Sequence, residues 1–159
     1  MLDIIKQFSK KLPKFSDGRI DYSNSDIAPV VTVLVKVDDE FLLLKRSDKV
    51  RAYQGKWNTI AGYLDEIKSV QDKALEEISE ELGIVKDLVK NIKVAKYYEF
   101  NDEAIGKTWI INPVLVELKK KPKIKLDWEH TEYRWLKKEN IKDFDIVSNL
   151  DDTLERALK

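Results

Sequence analysis

The sequence lacks cysteine altogether and contains a single histidine, His130, among its 159 residues. Without cysteine the chain can form no disulfide, no thiolate nucleophile and no cysteine-bound zinc site. One histidine also excludes a histidine-rich metal centre. Any bound metal is therefore expected to be held by oxygen, which favours a hard cation such as Mg²⁺ or Mn²⁺.

An excess of charge of one sign is also absent, because 29 basic residues balance 29 acidic ones. The whole-chain charge gives no attraction to nucleic acid or to a membrane. The basic run at 119–125, KKKPKIK, could grip RNA or a polyphosphate, but such a run more often protects a sheet edge. With neither a membrane-length apolar run nor a signal-peptide pattern, we expect a soluble cytoplasmic protein for which nucleic acid is not the partner.

Hydrophobic periodicity predicts one mixed α+β domain, with its main helix inserted between strands. A short amphipathic helix at 2–12 and a polar, turn-rich arm at 14–27 are expected to pack on this domain, so we divide the chain into 1–27 and 28–159. Strands are predicted at 30–37, 41–46, 56–62, 91–100, 107–118 and 132–136, and a closing helix at 150–158. The first two strands are spaced as a hairpin.

The most unusual segment is residues 62–84, GYLDEIKSVQDKALEEISEELGI, which carries seven carboxylates. Ser69 as N-cap, with Asp72 three residues later, and Gly83 as C-terminal stop predict a helix over about 70–82. Its apolar stripe is formed by Ala74, Leu75, Ile78 and Leu82. Glu77, Glu80 and Glu81 are expected to border that stripe, where like charges repel unless a cation lies among them.

This segment resembles the Nudix box, G-x5-E-x7-R-E-U-x-E-E-x-G-U with U apolar. The matching residues, all at the family's spacing, are Gly62, Glu77, Ile78, Glu80, Glu81, Gly83 and Ile84. LLLKRS and GKWNTIAGY, which precede the box, are also similar to the family. The resemblance covers roughly residues 30–136 and implies the Nudix fold, an α/β/α sandwich in which a mixed sheet is flanked by helices.

Two positions depart from the box, and the departures are reciprocal. Lys68 stands where the family has its first glutamate, and Glu76 stands where it has arginine. We hypothesise that an opposite-charge pair has been kept with its polarity reversed, so that Lys68 and Glu76 hold the loop to the helix. The alternative is that the box has decayed.

Nudix enzymes hydrolyse a diphosphate linkage, commonly in a nucleoside diphosphate joined to another group. The resemblance implies Mg²⁺, with Mn²⁺ as a possible substitute, held by Glu77, Glu80 and Glu81. Glu77, Glu80 or an acid from the 127–135 loop would accept the proton of the attacking water. Glu129 is the preferred acid of that loop and Glu132 the reserve.

Four residues are expected to contact the substrate. Arg46 leaves the second predicted strand toward the site and could bind phosphate, and Gly62 would let the backbone approach metal or phosphate closely. Trp57 and Tyr98 could stack on a base or sugar, although each taken alone is more often part of the core. His130 is expected to be a supporting or surface residue.

The sequence leaves other functions open. The main alternative to a hydrolase is a catalytically inactive Nudix-fold module that senses a nucleotide, supported by the two departures. An isoprenyl diphosphate isomerase shares the fold, but its cysteine-dependent type is excluded, and a plain structural domain would bind no metal. The substrate could be a dinucleoside polyphosphate, an ADP-sugar, a nucleoside triphosphate or a capped RNA, and the oligomeric state stays open.

Overall fold

The β-branched segment around residue 30 forms β1 (Ile27–Val37), the central strand of an eight-stranded sheet in the computed structural model, which describes all 159 residues. The other strands are β2 (Glu40–Arg46), β3 (Trp57–Asn58), β4 (Ile60–Tyr63), β5 (Val89–Val94), β6 (Tyr98–Asp102), β7 (Lys107–Leu118) and β8 (His130–Lys137). The helices are α1 (Leu2–Lys11), α2 (Val70–Leu82) and α3 (Leu150–Leu158), with short 3₁₀ turns at Lys86–Leu88 and Lys138–Asp143.

The sheet is mixed, as the fold-class prediction required. Its main order is β3-β2-β1-β7-β5, and β1 runs parallel to β7 while every other pairing is antiparallel. Three further strands pair beside this path: β4 with β1, β6 with β7, and β8 with β2. The predicted hairpin of β1 and β2 is confirmed, with Val37 opposite Glu40.

The two longer helices of the predicted sandwich cover opposite faces of β1. Alternate β1 side chains, such as Val31 and Val33, join a buried cluster with Ala74 and Ile78 of α2. Leu34 points to the other face and packs in a second cluster with Leu154 of α3. Because successive strand side chains alternate between faces, α2 and α3 must lie on opposite sides.

The N-terminal arm contributes to the core on the α2 side. Ile5 of α1, with Ile20 and Tyr22 of the arm, is fully buried in the same cluster as Val31. The Tyr22 hydroxyl donates a hydrogen bond to the carbonyl of Leu64, 2.8 Å away. These contacts tie the arm to the loop that precedes α2, while the domain boundary at residue 27 stays a prediction.

Two predicted strands are each divided in the structure. Residues 91–100 were expected to form one strand, but β5 ends at Val94 and β6 begins at Tyr98, and both pair with β7. The break lies opposite Pro113, which has no N–H to donate to the ladder, and Ala95 N donates to its carbonyl instead. The segment at 56–62 likewise divides at Thr59 into β3, which pairs with β2, and β4, which pairs with β1.

None of the helices has the length and apolarity needed to cross a membrane. The basic run at 119–125 follows β7 outside any strand. Its Lys121 forms an ion pair with Glu40 and lies over the Trp135 ring.

If the arm is an integral part of the fold, Ile20→Ala should lower the free energy of unfolding by about 2–4 kcal/mol, because it leaves a cavity in a closed cluster. Urea denaturation followed by circular dichroism measures this change. Phe15→Ala is the matched control, since that ring is exposed, and it should change stability by less than about 0.5 kcal/mol. Equal, small effects of the two substitutions would contradict an integral arm.

Candidate active site

Helix α2 has the boundaries that the sequence predicted. The Ser69 hydroxyl accepts a hydrogen bond from Asp72 N at 3.0 Å, and Gly83 ends the helix in the left-handed conformation, with φ of 69°. Glycine adopts this conformation without the steric cost that a Cβ would bring. The cap and the stop together fix which side of the helix each carboxylate occupies.

Glu77 and Glu81 lie on the buried side of α2, only 8% and 6% exposed. Their spacing of four residues stacks them on one side of the helix, and that side meets the sheet. Glu80 is exposed, so the expectation that all three carboxylates border the core is wrong for this one. Glu81 lies about one turn after Glu77, on the same side of the helix. Glu80 is rotated from Glu81 by about 100° around the helix axis, which places it toward solvent.

Gly62 of β4 makes room for the Glu77 carboxylate. A Cβ at position 62 would lie 2.3 Å from Glu77 Oε1, closer than non-bonded atoms can approach. The glycine is therefore needed for the close approach of a side chain to the β4 backbone. Any direct contact between Gly62 and a substrate stays a prediction.

The 127–130 segment brings further ligand-type groups to Glu81. Pairing of β8 with β2 places His130 opposite Arg46, and Ser47 N donates to the Glu129 carbonyl at 2.7 Å. One ligand atom each of Glu81, Glu129 and His130 lies within 4.8 Å of the others. His130 is buried, so of the two expected placements, supporting or surface, the structure excludes the surface.

The cluster concentrates negative charge away from water. Burial, reinforced by Glu129 and Glu77, raises the pKa of Glu81 to about 10. Burial also raises the pKa of Glu77 and of Glu129, and it lowers the pKa of His130. Glu81 Oε2 is buried without any hydrogen-bond partner, although buried polar atoms nearly always have one.

Lys73 is the buried cation that faces this charge from within the helix. It is 4% exposed, and its Nζ lies 3.0 Å from Glu77 Oε1, 3.3 Å from Glu76 Oε1 and 3.4 Å from Asp65 Oδ1. Burial opposes its charged form, but the surrounding carboxylates outweigh burial and raise the pKa of Lys73. Lys73 neutralises Glu77 and leaves Glu81 without a direct cationic partner.

The reversed pair of the box is formed. Lys68 Nζ lies 2.5 Å from Glu76 Oε2 and 3.2 Å from Glu66 Oε1. Glu76 also contacts Lys73, so the loop, the reversed pair and the buried lysine make one connected set of charges. The contact expected between loop and helix is confirmed, with the signs exchanged.

Arg46 lies at the edge of the carboxylate cluster. Arg46 is half-buried near Glu129 and Glu81, and burial lowers its pKa; its Nε donates to the Ala52 carbonyl at 3.0 Å. Its role in binding phosphate stays a prediction.

The two aromatic residues predicted to stack on substrate belong to the α3 side of the sheet. Trp57 is 8% exposed and packs edge-on against Phe144. The Tyr98 hydroxyl is bound to Thr153 and Asn149, and the Arg156 guanidinium covers its ring at 4.0 Å. Packing within the protein accounts for both rings, and a substrate would have to displace these contacts.

The sequence did not predict that Lys73 and His130 would be buried beside the carboxylates. Lys73 was visible only as a helical neighbour of Glu77, and its contact with Asp65 depends on the loop fold. His130 had one signal, its place directly after Glu129 in an acidic loop. Its burial depends on the pairing of β8 with β2.

Comparison with known proteins agrees with this geometry. The NUDIX domain family matches residues 26–157, so the chain belongs to the Nudix family. A MutT protein from Methanosarcina mazei Go1 superposes with a TM-score of 0.67 at 27% identity, covering 84% of this chain and 94% of that one. No curated protein matches the sequence.

Two more distant solved structures share the fold. The Ap4A hydrolase of C. elegans, solved as a binary complex, has a TM-score of 0.65 and 18% identity, covering 81% of this chain and 93% of its own. The NUDIX domain of Shewanella oneidensis NrtR, complexed with ADP ribose, has a TM-score of 0.67 and 13% identity, covering 83% and 88%.

If Lys68 and Glu76 hold the loop to the helix, a double-mutant cycle with Lys68→Met and Glu76→Gln should give a coupling energy of about 0.3–1 kcal/mol, the range of partly exposed ion pairs. Urea denaturation of the four proteins measures it. The cycle of Lys137→Met and Asp39→Asn, a more exposed pair, should give a smaller value. Coupling near zero at the Lys68–Glu76 pair would contradict its proposed role.

The raised pKa of Glu81 predicts how stability depends on pH without metal. The folded state keeps its proton up to about pH 10, whereas the unfolded chain loses it near pH 4.3. The folded state thus binds more protons between these values, so stability falls as pH rises, by at most about 1.4 kcal/mol per pH unit from this group.

Glu81→Gln should therefore raise Tm in EDTA at pH 8 and flatten the decline between pH 6 and 9. Glu80→Gln is the control, because this carboxylate on the same helix is exposed and its removal should leave the slope unchanged. Parallel pH profiles for wild type and Glu81→Gln would show that Glu81 is not strained in the fold.

Proposed function

We propose that this protein is a divalent-cation-dependent hydrolase that cleaves the diphosphate linkage of a nucleoside diphosphate joined to another group. The observation that carries the proposal is the burial of Glu77 and Glu81 beside Glu129, with Glu81 Oε2 lacking any partner. Lys73 is the one lysine of α2 that contacts these carboxylates, and it contacts Glu77 rather than Glu81. A cation bound by Glu81 would supply the missing partner.

The donor set fits a divalent cation. We assign Glu77 and Glu81 to holding it, with Mg²⁺ or Mn²⁺ as the candidates, and Glu80 to completing the set from the solvent side. When bound, such a cation neutralises phosphate oxygens and lowers the pKa of bound water.

The protein's own groups would do the rest of the chemistry. Glu129, half-buried at the edge of the cluster, or the exposed Glu80 would accept the proton of the attacking water. Arg46, adjacent to Glu129, would bind a phosphate oxygen and orient the linkage. Lys73 would hold Glu77 in place through its contact at 3.0 Å.

The proposed substrate class rests on relatives and on the charge of the site. The printed descriptions of two similar structures concern Ap4A hydrolysis and a complex with ADP ribose, and both compounds carry a nucleoside diphosphate unit. We therefore propose a dinucleoside polyphosphate or an ADP-sugar as the first candidate substrates. A nucleoside triphosphate and a capped RNA are the next candidates. The partner is a small nucleotide-type molecule rather than a membrane.

A catalytically inactive nucleotide-sensing module is the second candidate. The observation that favours it is the departure of the box at Lys68 and Glu76. The 2.5 Å contact between these two residues weighs against decay of the box, because random substitutions at the two positions would not be expected to form an opposite-charge pair.

If the protein is a hydrolase, it should turn over at least one compound of a panel of ADP-ribose, Ap4A, ATP and capped RNA. That turnover should require Mg²⁺ or Mn²⁺. Product release is followed by chromatography. Glu77→Gln should lower kcat/KM by at least about 100-fold, since it removes a charged group that would hold the cation. Glu80→Gln tests the role assigned to the exposed carboxylate.

Glu155→Gln, an exposed α3 residue paired with Lys138, is the control and should retain full activity. Cation and nucleotide binding without turnover of any compound would favour the sensing module. Absence of cation binding as well would overturn both proposals.

A further inference from the structure

The imidazole of His130 lies in the carboxylate cluster, and the box resemblance gives it no role. His130 is the first residue of β8 and is 6% exposed. The pairing of β8 with β2 fixes its backbone opposite Arg46. Burial of the ring and the contact of its Nδ1 with Asp127 Oδ1, at 3.3 Å, hold it within the cluster.

The distances within the cluster suit a bound cation. One ligand atom each of His130, Glu81 and Glu129 lies within 4.8 Å of the others. Cations in proteins bind nitrogen and oxygen ligands at roughly 2.0–2.6 Å. Ligand atoms separated by up to about twice that length can therefore share one ion without a large movement.

Two further observations point to a ligand at this position. Glu81 Oε2 is buried with no hydrogen-bond partner, an arrangement that leaves a carboxylate oxygen available for coordination. The other observation is that His130 Nδ1 lies 3.3 Å from Asp127 Oδ1. Metal-binding histidines commonly use one ring nitrogen for a carboxylate and the other for the metal, and here Nε2 makes no hydrogen bond.

We propose that His130 is a nitrogen ligand, through Nε2, of the divalent cation bound at Glu81, so that this site binds transition-metal ions in preference to Mg²⁺. The inference rests on the proposed function for the presence of a cation. Imidazole suits transition metals, whereas Mg²⁺ selects oxygen ligands. The ions favoured by this donor set are Co²⁺ and Zn²⁺, and Asp127 positions the ring.

The test uses Co²⁺ and the fact that the chain contains one histidine. Proton NMR of the full-length protein loaded with Co²⁺ should show one strongly shifted, solvent-exchangeable signal, from the imidazole N–H that faces Asp127. Because there is no second histidine, the assignment needs no variant. Loss of the signal in D₂O identifies it as exchangeable.

Affinity measurements give a second readout. Titration calorimetry with Co²⁺ and with Mg²⁺ should show tighter binding of Co²⁺, and His130→Gln should reduce the ratio of the two affinities by about 10-fold or more. Trp128→Phe is the control, since this exposed neighbour lies in the same loop and should leave the ratio unchanged.

The outcomes separate this inference from the proposed function. Co²⁺ binding without a shifted imidazole signal, or an unchanged affinity ratio in His130→Gln, would overturn the role of His130 and leave a carboxylate-only site. Failure of the wild-type protein to bind Co²⁺, Mn²⁺ or Mg²⁺ would overturn the cation site itself. The NMR experiment uses the wild-type protein, so it tests the role of His130 even if His130→Gln fails to fold.

Discussion

The burial of two carboxylates on one side of α2 is the constraint on which the rest of the site depends. Removing an ionised carboxylate from water costs several kcal/mol unless it is paired. Glu77 meets this requirement through Lys73 at 3.0 Å. Glu81 does not, and burial raises its pKa to about 10. The close approach at Gly62 and the acidic loop before β8 complete a site in which Glu81 Oε2 has no hydrogen-bond partner, and the proposed cation would supply one.

The two residues that depart from the Nudix box form an opposite-charge pair beside α2. Lys68 and Glu76 stand in reversed positions and still make contact. Lys73, one turn before Glu77, supplies a buried cation that also reaches Asp65 in the loop. In this chain, opposite charges at the two departing positions therefore join the loop to the helix.

Interactions within a single helical turn made the boundaries of α2 predictable from the sequence. The limits of α2 follow from the Ser69 cap and the Gly83 stop, which act within a single turn, and the structure confirms both. The break after Val94 could not be predicted from its own residues, because it depends on Pro113 in a strand that pairs with it. Trp57 was equally ambiguous, since an aromatic residue before the box suits a core or a substrate.

The most direct test of a cation bound among the buried carboxylates is a crystal structure of the protein soaked in Mn²⁺, with anomalous diffraction recorded near the manganese absorption edge. We predict an anomalous peak within coordination distance of Glu81, with Glu77 or Glu129 as a second ligand. Fully occupied peaks elsewhere on the surface, with no anomalous peak among the buried carboxylates, would contradict the account.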